Sequence, residues 1–171
     1  MSKLFNIIKL LRPQQWYKNV VIFAAIFFSG DLLNINQFYL TFLGFISLCL
    51  ISSTNYIIND LVDCNKDKKH PEKKNRPIAS GIVKKSEAII IAIFTFTLSV
   101  WNAFYLPKGF FYIIIALFIS TQIYSLFLKN EAFLDVILIG TNFVLRAVSG
   151  TFIIKTDISP WLIICAFFLA L

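Results

Sequence analysis

Long apolar runs follow one another along most of this chain, and they leave few folds open to it. A helix that crosses a bilayer needs about 20 mostly apolar residues. Runs of that kind predict spans over residues 38–58, 88–106, 110–128 and 132–154. A shorter run predicts a span over 20–33, with Trp16 and Tyr17 as interface anchors. A sixth begins at Ser159-Pro160-Trp161, where proline suits a first helical turn. Of the 171 residues, 58% are hydrophobic and only 15% charged, against about 25% charged in a soluble domain. A soluble domain of this size could not bury so much apolar surface. The expected fold is all-α, a multi-pass transmembrane helix bundle forming one membrane domain over residues 1–171. Disorder and a secreted disulfide scaffold are excluded. Cys49, Cys64 and Cys165 have neither paired nor metal-like spacing and read as reduced bystanders.

The net charge of +7 does not point to nucleic acid once its distribution is considered. Of the 16 basic residues, eight fall between Cys64 and Glu87 and four precede Val20. Loops on one side of the spans collect 13 basic residues and those on the other side two. The positive-inside rule then predicts a cytoplasmic N-terminus and a cytoplasmic loop over 59–87, in a cell membrane. Lys3, Lys9 and Arg12 lie in an apolar pattern with no cleavage site after it, which reads as a retained interfacial helix. From Trp161 to Leu171 the sixth run would span roughly 16 Å, half of a hydrocarbon core.

The 59–87 loop is too long for a mere connector and is read as an Asp-rich and basic active-site loop. At 100° per residue, Asn59, Asp60, Asp63 and Asp67 fall within an arc of about 100° on one helical face. Ser52, Asn55 and Tyr56 continue that polar stripe into the membrane. Three carboxylates on one face repel unless a cation lies between them. Mg²⁺ suits such a place, because one or two carboxylates hold it and substrate phosphates complete its oxygen shell. The same pattern also fits a solvated loop whose acids balance nearby lysines. Lys73 and Arg76 read as ligands for the free oxygens of a diphosphate, with Pro77 and Gly81 shaping the turn that presents Arg76. Lys68, Lys69, Lys84 and Lys85 read as topology determinants, and His70 beside Pro71 as a loop residue.

A second constellation lies in the fifth span. Asp135, Asn142, Arg146 and Ser149 fall within about 80° of one another around the helix. An arginine in mid-span costs roughly 2.5–3.5 kcal/mol on insertion scales, so Arg146 is expected to face a pocket or a partner. A substrate anion and a polar clamp between helices both satisfy it. Tyr124 and Lys129 end the fourth span at the depth of the acids. Lys129 there fits a phosphate contact or an interface marker.

Together these residues resemble the UbiA superfamily of intramembrane prenyltransferases, whose first motif N-D-x-x-D-x-x-x-D is matched by Asn59, Asp60, Asp63 and Asp67. Further blocks resemble its decaprenyl-phosphate phosphoribosyltransferase branch. They are Leu11-Arg12-Pro13, Gln15-Trp16, Lys18-Asn19, His70-Pro71, Lys73, the run from Arg76 to Gly81, Tyr124-Ser125, Leu128-Lys129, Asp135 and the run from Phe143 to Gly150. The resemblance implies a bundle of about nine spans around a lipid-open cavity, so that this chain would be a C-terminally truncated member. It implies Mg²⁺ held by Asp60, Asp63 and Asp67, with Asp60, Asp63 and Arg76 catalytic. It places Asn59, Lys73, Tyr124, Lys129, Asp135, Asn142, Arg146, Arg12 and Lys18 among substrate-binding residues. The implied reaction moves 5-phosphoribose from phosphoribosyl diphosphate to a polyprenyl phosphate at the cytoplasmic face. The same carboxylates would serve an aromatic prenyltransferase using a prenyl diphosphate, and the spans alone would fit a non-enzymatic bundle.

Overall fold

The computed structural model describes residues 3–128 and 132–170, and only the backbone of residues 127, 128, 132, 133 and 135. The described residues form helices joined by turns, with no strand among them. Helix α1 (Lys3–Leu11) is amphipathic. It buries Asn6 and Leu10 against the protein and exposes Leu4, Phe5 and Ile8. Arg12 then turns the chain through the left-handed region, at φ 51°. Pro13 opens a ten-residue 3-10 helix, Pro13–Ile22, which runs into the short α2 (Phe23–Phe28).

That 3-10 segment departs from the single span expected over 20–33. With three residues per turn, side chains at i and i+3 eclipse. Trp16, Asn19 and Ile22 therefore align in one row. All three face the long helix α3 (Ile35–Val62) or the core beside it. The Trp16 Nε1 donates to Ser53 Oγ at 3.0 Å, and Ser53 Oγ donates to the Leu11 carbonyl at 2.7 Å. Asn19 Nδ2 donates to Cys49 Sγ at 3.4 Å. The side-chain bonds of this polar row hold a geometry that hydrophobic periodicity does not encode.

Helix α3 is the axis of the fold. It packs against the 3-10 segment, α5 (Lys85–Phe104), α6 (Lys108–Ile123) and α7 (Ala132–Ile154). The short α4 (Cys64–Asp67) continues from its end, and α8 (Pro160–Leu169) packs on α7. Asn34 starts α3 by accepting hydrogen bonds from the amides of Asn36 and Gln37. Small polar residues seal the α3–α5 contact: the Thr54 and Thr95 hydroxyls lie 2.8 Å apart, and Ser99 Oγ donates to the Ser47 carbonyl at 2.8 Å. Such residues let helices approach closely in lipid, where apolar burial gives little drive to associate.

By length and composition, four helices can cross a membrane: Ile35–Val62, Lys85–Phe104, Lys108–Leu126 and Val136–Ile154. They show large apolar side chains outward, as Ile90, Phe94 and Trp101 do on α5. The first expected run does not form a helix of that length, because a turn at Gly30 follows α2, while the 10-residue α8 agrees with the short sixth run expected from Trp161. At 28 residues α3 is about 42 Å long, against a hydrocarbon core of about 30 Å. It is thus longer than the core requires, and its last turn carries Asn59 and Asp60.

Two buried clusters hold the bundle together. One surrounds Ile22, Leu48, Phe110 and Ile114; the other joins Leu10 and Ile57 to Ile78, Val83 and Ala88. Gly150 lets α7 approach the 3-10 segment, since a Cβ there would run into the Ile22 carbonyl oxygen. Backbone cannot swing aside as a side chain can. Gly150→Ala is expected to destabilise the protein by about 1–3 kcal/mol, read as a lower thermal midpoint in detergent.

Candidate functional site

The polar stripe of α3 ends in a cluster of acids and arginines. Asp60 is only 2% exposed. Its Oδ1 accepts hydrogen bonds from Arg12 Nη2 at 2.6 Å and from Arg76 Nη1 at 3.0 Å. The same Arg76 nitrogen donates to Asp67 Oδ2 at 2.7 Å. These charge-assisted bonds offset the cost of taking the carboxylates out of water. Because one nitrogen serves both acids, their oxygens lie within roughly 6 Å of each other, twice a hydrogen-bond length.

The chain reaches this arrangement by breaking a helix rather than continuing it. On an unbroken helix Asp67 would sit two turns beyond Asp60, about 10 Å along the axis. Instead α3 stops at Val62, Asp63 links it to α4, and α4 carries Asp67 back into the protein. The expectation that the acids share one helical face is corrected accordingly. As the side chains stand, no group of three His, Cys, Asp or Glu among the described residues could hold one metal ion. Asp63 is half-buried at the junction, while Asp60 and Asp67 form a pair.

Arg76 is aimed by the turn that follows it. The Ser80 amide donates to the Arg76 carbonyl at 2.9 Å, and the Val83 amide to the Pro77 carbonyl at 3.0 Å. Gly81 closes the turn at φ 80°, in the left-handed region. Ile78, Ala79 and Val83 are buried and anchor it. Arg12 reaches Asp60 from the other side and stacks over the Tyr56 ring at 4.8 Å. Lys73 is exposed on a 3-10 turn. The His70 Nδ1 accepts from the amides of Glu72 and Lys73, the role of a loop residue.

Asn59 is held by Ser125, whose Oγ donates to its Oδ1 at 2.7 Å. Below it, Gln122 Nε2 donates to Asn55 Oδ1 at 2.7 Å. At Tyr124–Leu128 helix α6 widens into a π-helical turn, a local irregularity frequent at functional sites. Sequence reading did not single out Gln122 as a partner of the stripe. Its position in an apolar helix is the signal that could have found it.

Tyr56 connects this cluster to a cavity of about 1050 Å³ between the 3-10 segment, α2 and α7. Phe23, Phe27, Phe28 and Phe143 supply much of its apolar wall, and Tyr17, Lys18, Tyr124, Asn142 and Arg146 its polar part. Arg146 Nε donates to Asn19 Oδ1 at 3.0 Å, and its Nη1 to the Asn142 carbonyl at 3.3 Å. Ser120 Oγ donates to the Asn142 side-chain oxygen. Ser149 is fully buried and gives its hydroxyl to the Arg146 carbonyl, so it turns away from the cavity group. Lys129 and the Asp135 side chain lie outside the described residues. All three cysteines are free, as their spacing predicts.

The donor chemistry of the cluster fits Mg²⁺. It offers hard carboxylate oxygens from two buried acids, close enough to share a single positive charge, with Asn59 and Asp63 beside them. Arg76 supplies that charge here and could alternatively meet a phosphate oxygen.

The UbiA prenyltransferase family profile matches residues 19–171. The chain is 32% identical over 95% of its length to a decaprenyl-phosphate phosphoribosyltransferase of Corynebacterium glutamicum, covering 50% of that protein. It is 32% identical, again over 95% of its length, to the protein of that name from Mycolicibacterium smegmatis, covering 52% of it. The chain thus spans about half the length of these curated relatives. Among solved structures, a UbiA homologue from Archaeoglobus fulgidus, bound to DMAPP and Mg²⁺, superposes with a TM-score of 0.79 at 26% identity. That match covers 99% of this chain and 60% of the other. The helical architecture, the acid motif at the end of α3 and these matches lead to one conclusion: the chain belongs to the UbiA prenyltransferase family.

Proposed function

We propose that this protein takes part in transferring 5-phosphoribose from phosphoribosyl diphosphate to a polyprenyl phosphate, at the cytoplasmic face of the cell membrane. The carrying observation is the Asp60–Arg76–Asp67 arrangement, joined through Arg12 and Tyr56 to the wall of a lipid-sized cavity. The relatives from Corynebacterium and Mycolicibacterium, named for that activity, support it. The basic loop over 59–87 and the basic N-terminus support the sidedness.

In this reading Asp60 and Asp67, with Asp63 and Asn59 beside them, would hold Mg²⁺, which when bound would supply positive charge against the leaving diphosphate. Arg76 and Arg12 meet the diphosphate's free oxygens, where guanidinium forks pair well with phosphate. The lipid phosphate is already ionised near neutral pH and needs no strong base. One of its oxygens forms the bond to the anomeric carbon as the bond from that carbon to the diphosphate oxygen breaks. The products are a phosphodiester and diphosphate.

A second reading, prenyl transfer from a prenyl diphosphate to an aromatic acceptor, is favoured by the DMAPP-bound Archaeoglobus structure. One assay separates them. Membranes bearing the protein receive labelled phosphoribosyl diphosphate with a polyprenyl phosphate, or a labelled prenyl diphosphate with an aromatic acid. Mg²⁺-dependent label in a phosphoribosylated lipid is the expected result. Label only in a prenylated aromatic would overturn it.

A further inference from the structure

The half-buried arginine of α7, Arg146, has an unusual partner. A mid-membrane guanidinium is costly and ordinarily pairs with an acid. Among the described residues no carboxylate lies within ion-pair distance of Arg146. Asp135, on the same helix, is three turns away, about 16 Å along the axis. Instead the guanidinium is fixed by a neutral amide, Asn19 Oδ1, which is itself buried. The Asn19 amide is oriented in turn by donating to Cys49 Sγ. These contacts and the bond to the Asn142 carbonyl use two of the five N–H donors of a guanidinium, so Arg146 is held in place with its charge uncompensated.

The cavity beside it has matching character. Its described lining contains two cations, Lys18 and Arg146, and no acid. The rest is largely apolar, with Phe23, Phe27 and Phe28 of α2 in its wall. A small soluble anion would leave that wall bare, and a neutral lipid would leave the charges unmet. An amphiphile with an anionic head and an isoprenoid tail satisfies both.

We infer that Asn19 positions Arg146 as an uncompensated cation, so that with Lys18 it seats the phosphate of the polyprenyl acceptor, on the far side of Tyr56 from the acid cluster. This rests on the proposed reaction for the identity of the lipid, but the seat itself is tested by binding alone. Asn19 acts here as a positioning residue. An aspartate in its place has nearly the same shape and would pair with Arg146, cancelling the charge meant for the ligand.

The test measures binding of farnesyl phosphate, farnesol and inorganic phosphate to the purified chain in detergent micelles. The native chain is expected to bind farnesyl phosphate at least tenfold more tightly than farnesol, and inorganic phosphate weakly. Asn19→Asp should abolish that tenfold preference while farnesol still binds, and Arg146→Gln should do the same. Asn19→Ser, neutral and still an acceptor, should retain most of it. Preserved preference in Asn19→Asp, or inorganic phosphate binding as tightly as the lipid phosphate, would overturn the inference. Should Asn19→Asp not fold, Arg146→Gln and Asn19→Ser decide the question by the same comparison. Because turnover is not read, loss of phosphoribosyl transfer in the separate assay would sink the proposed reaction and leave this result standing.

Discussion

Asp60→Ala is expected to lower the stability of the protein by about 3 kcal/mol, at the low end of the 3–5 kcal/mol range for breaking a buried ion pair. The substitution removes the acceptor that Arg12 and Arg76 share, and leaves the Arg76–Asp67 contact in place. The low end applies because the two arginine side chains are 22% and 24% exposed, so each regains some water. Asp60→Asn keeps the shape and one oxygen acceptor, and the fold should survive it. Under the proposed reaction, turnover by the same variant should fall by about 100-fold or more, the magnitude seen when a group stabilising transition-state charge is removed. Thermal unfolding in detergent and the labelled-donor assay give the two readings independently. A stable Asp60→Asn protein with near-native turnover would remove Asp60 from the chemistry.

Phe110→Ala should be comparably damaging, at about 3 kcal/mol, although Phe110 belongs to the apolar core and not to the acid cluster. Phe110 is the largest of the fully buried side chains among the described residues and packs in the core cluster with Ile22, Leu48 and Ile114. Its ring also lies against Gly44 of α3, where an added Cβ would come within 3.3 Å of it. In a soluble core, phenylalanine-to-alanine changes cost 3–5 kcal/mol through lost transfer energy plus a cavity. In lipid the transfer part shrinks, because the unfolded helices still face hydrocarbon, and lost packing dominates. Thermal midpoints for Phe110→Ala and Phe110→Leu would separate these parts, since leucine refills most of the volume.

The helical class and the central position of α3's acidic end were legible in the sequence. Apolar runs of bilayer length admit little else, and Asn59-Asp60 directly after such a run marks a membrane mouth. The turn presenting Arg76 was legible too, because Pro77 and Gly81 have narrow conformational uses. Other parts depend on contacts between distant residues. The break at Asp63 pairs Asp67 with Asp60 through Arg76, and helical periodicity carries no sign of it. The 3-10 winding of Pro13–Ile22 is held by Trp16, Asn19 and Ile22 meeting α3, partners some 30 residues away. Arg146 was visible as an anomaly, but its neutral companion was not, since Asn19 and Arg146 stand 127 positions apart.

The left-handed corner at Arg12 makes one side chain answer to two neighbourhoods. Its backbone joins the amphipathic α1 to the 3-10 segment, while its guanidinium clasps Asp60 and caps Tyr56. A shift of α1 relative to α3 would therefore reach Asp60 through a single side chain, because the hinge of the one and the counter-charge of the other are the same residue.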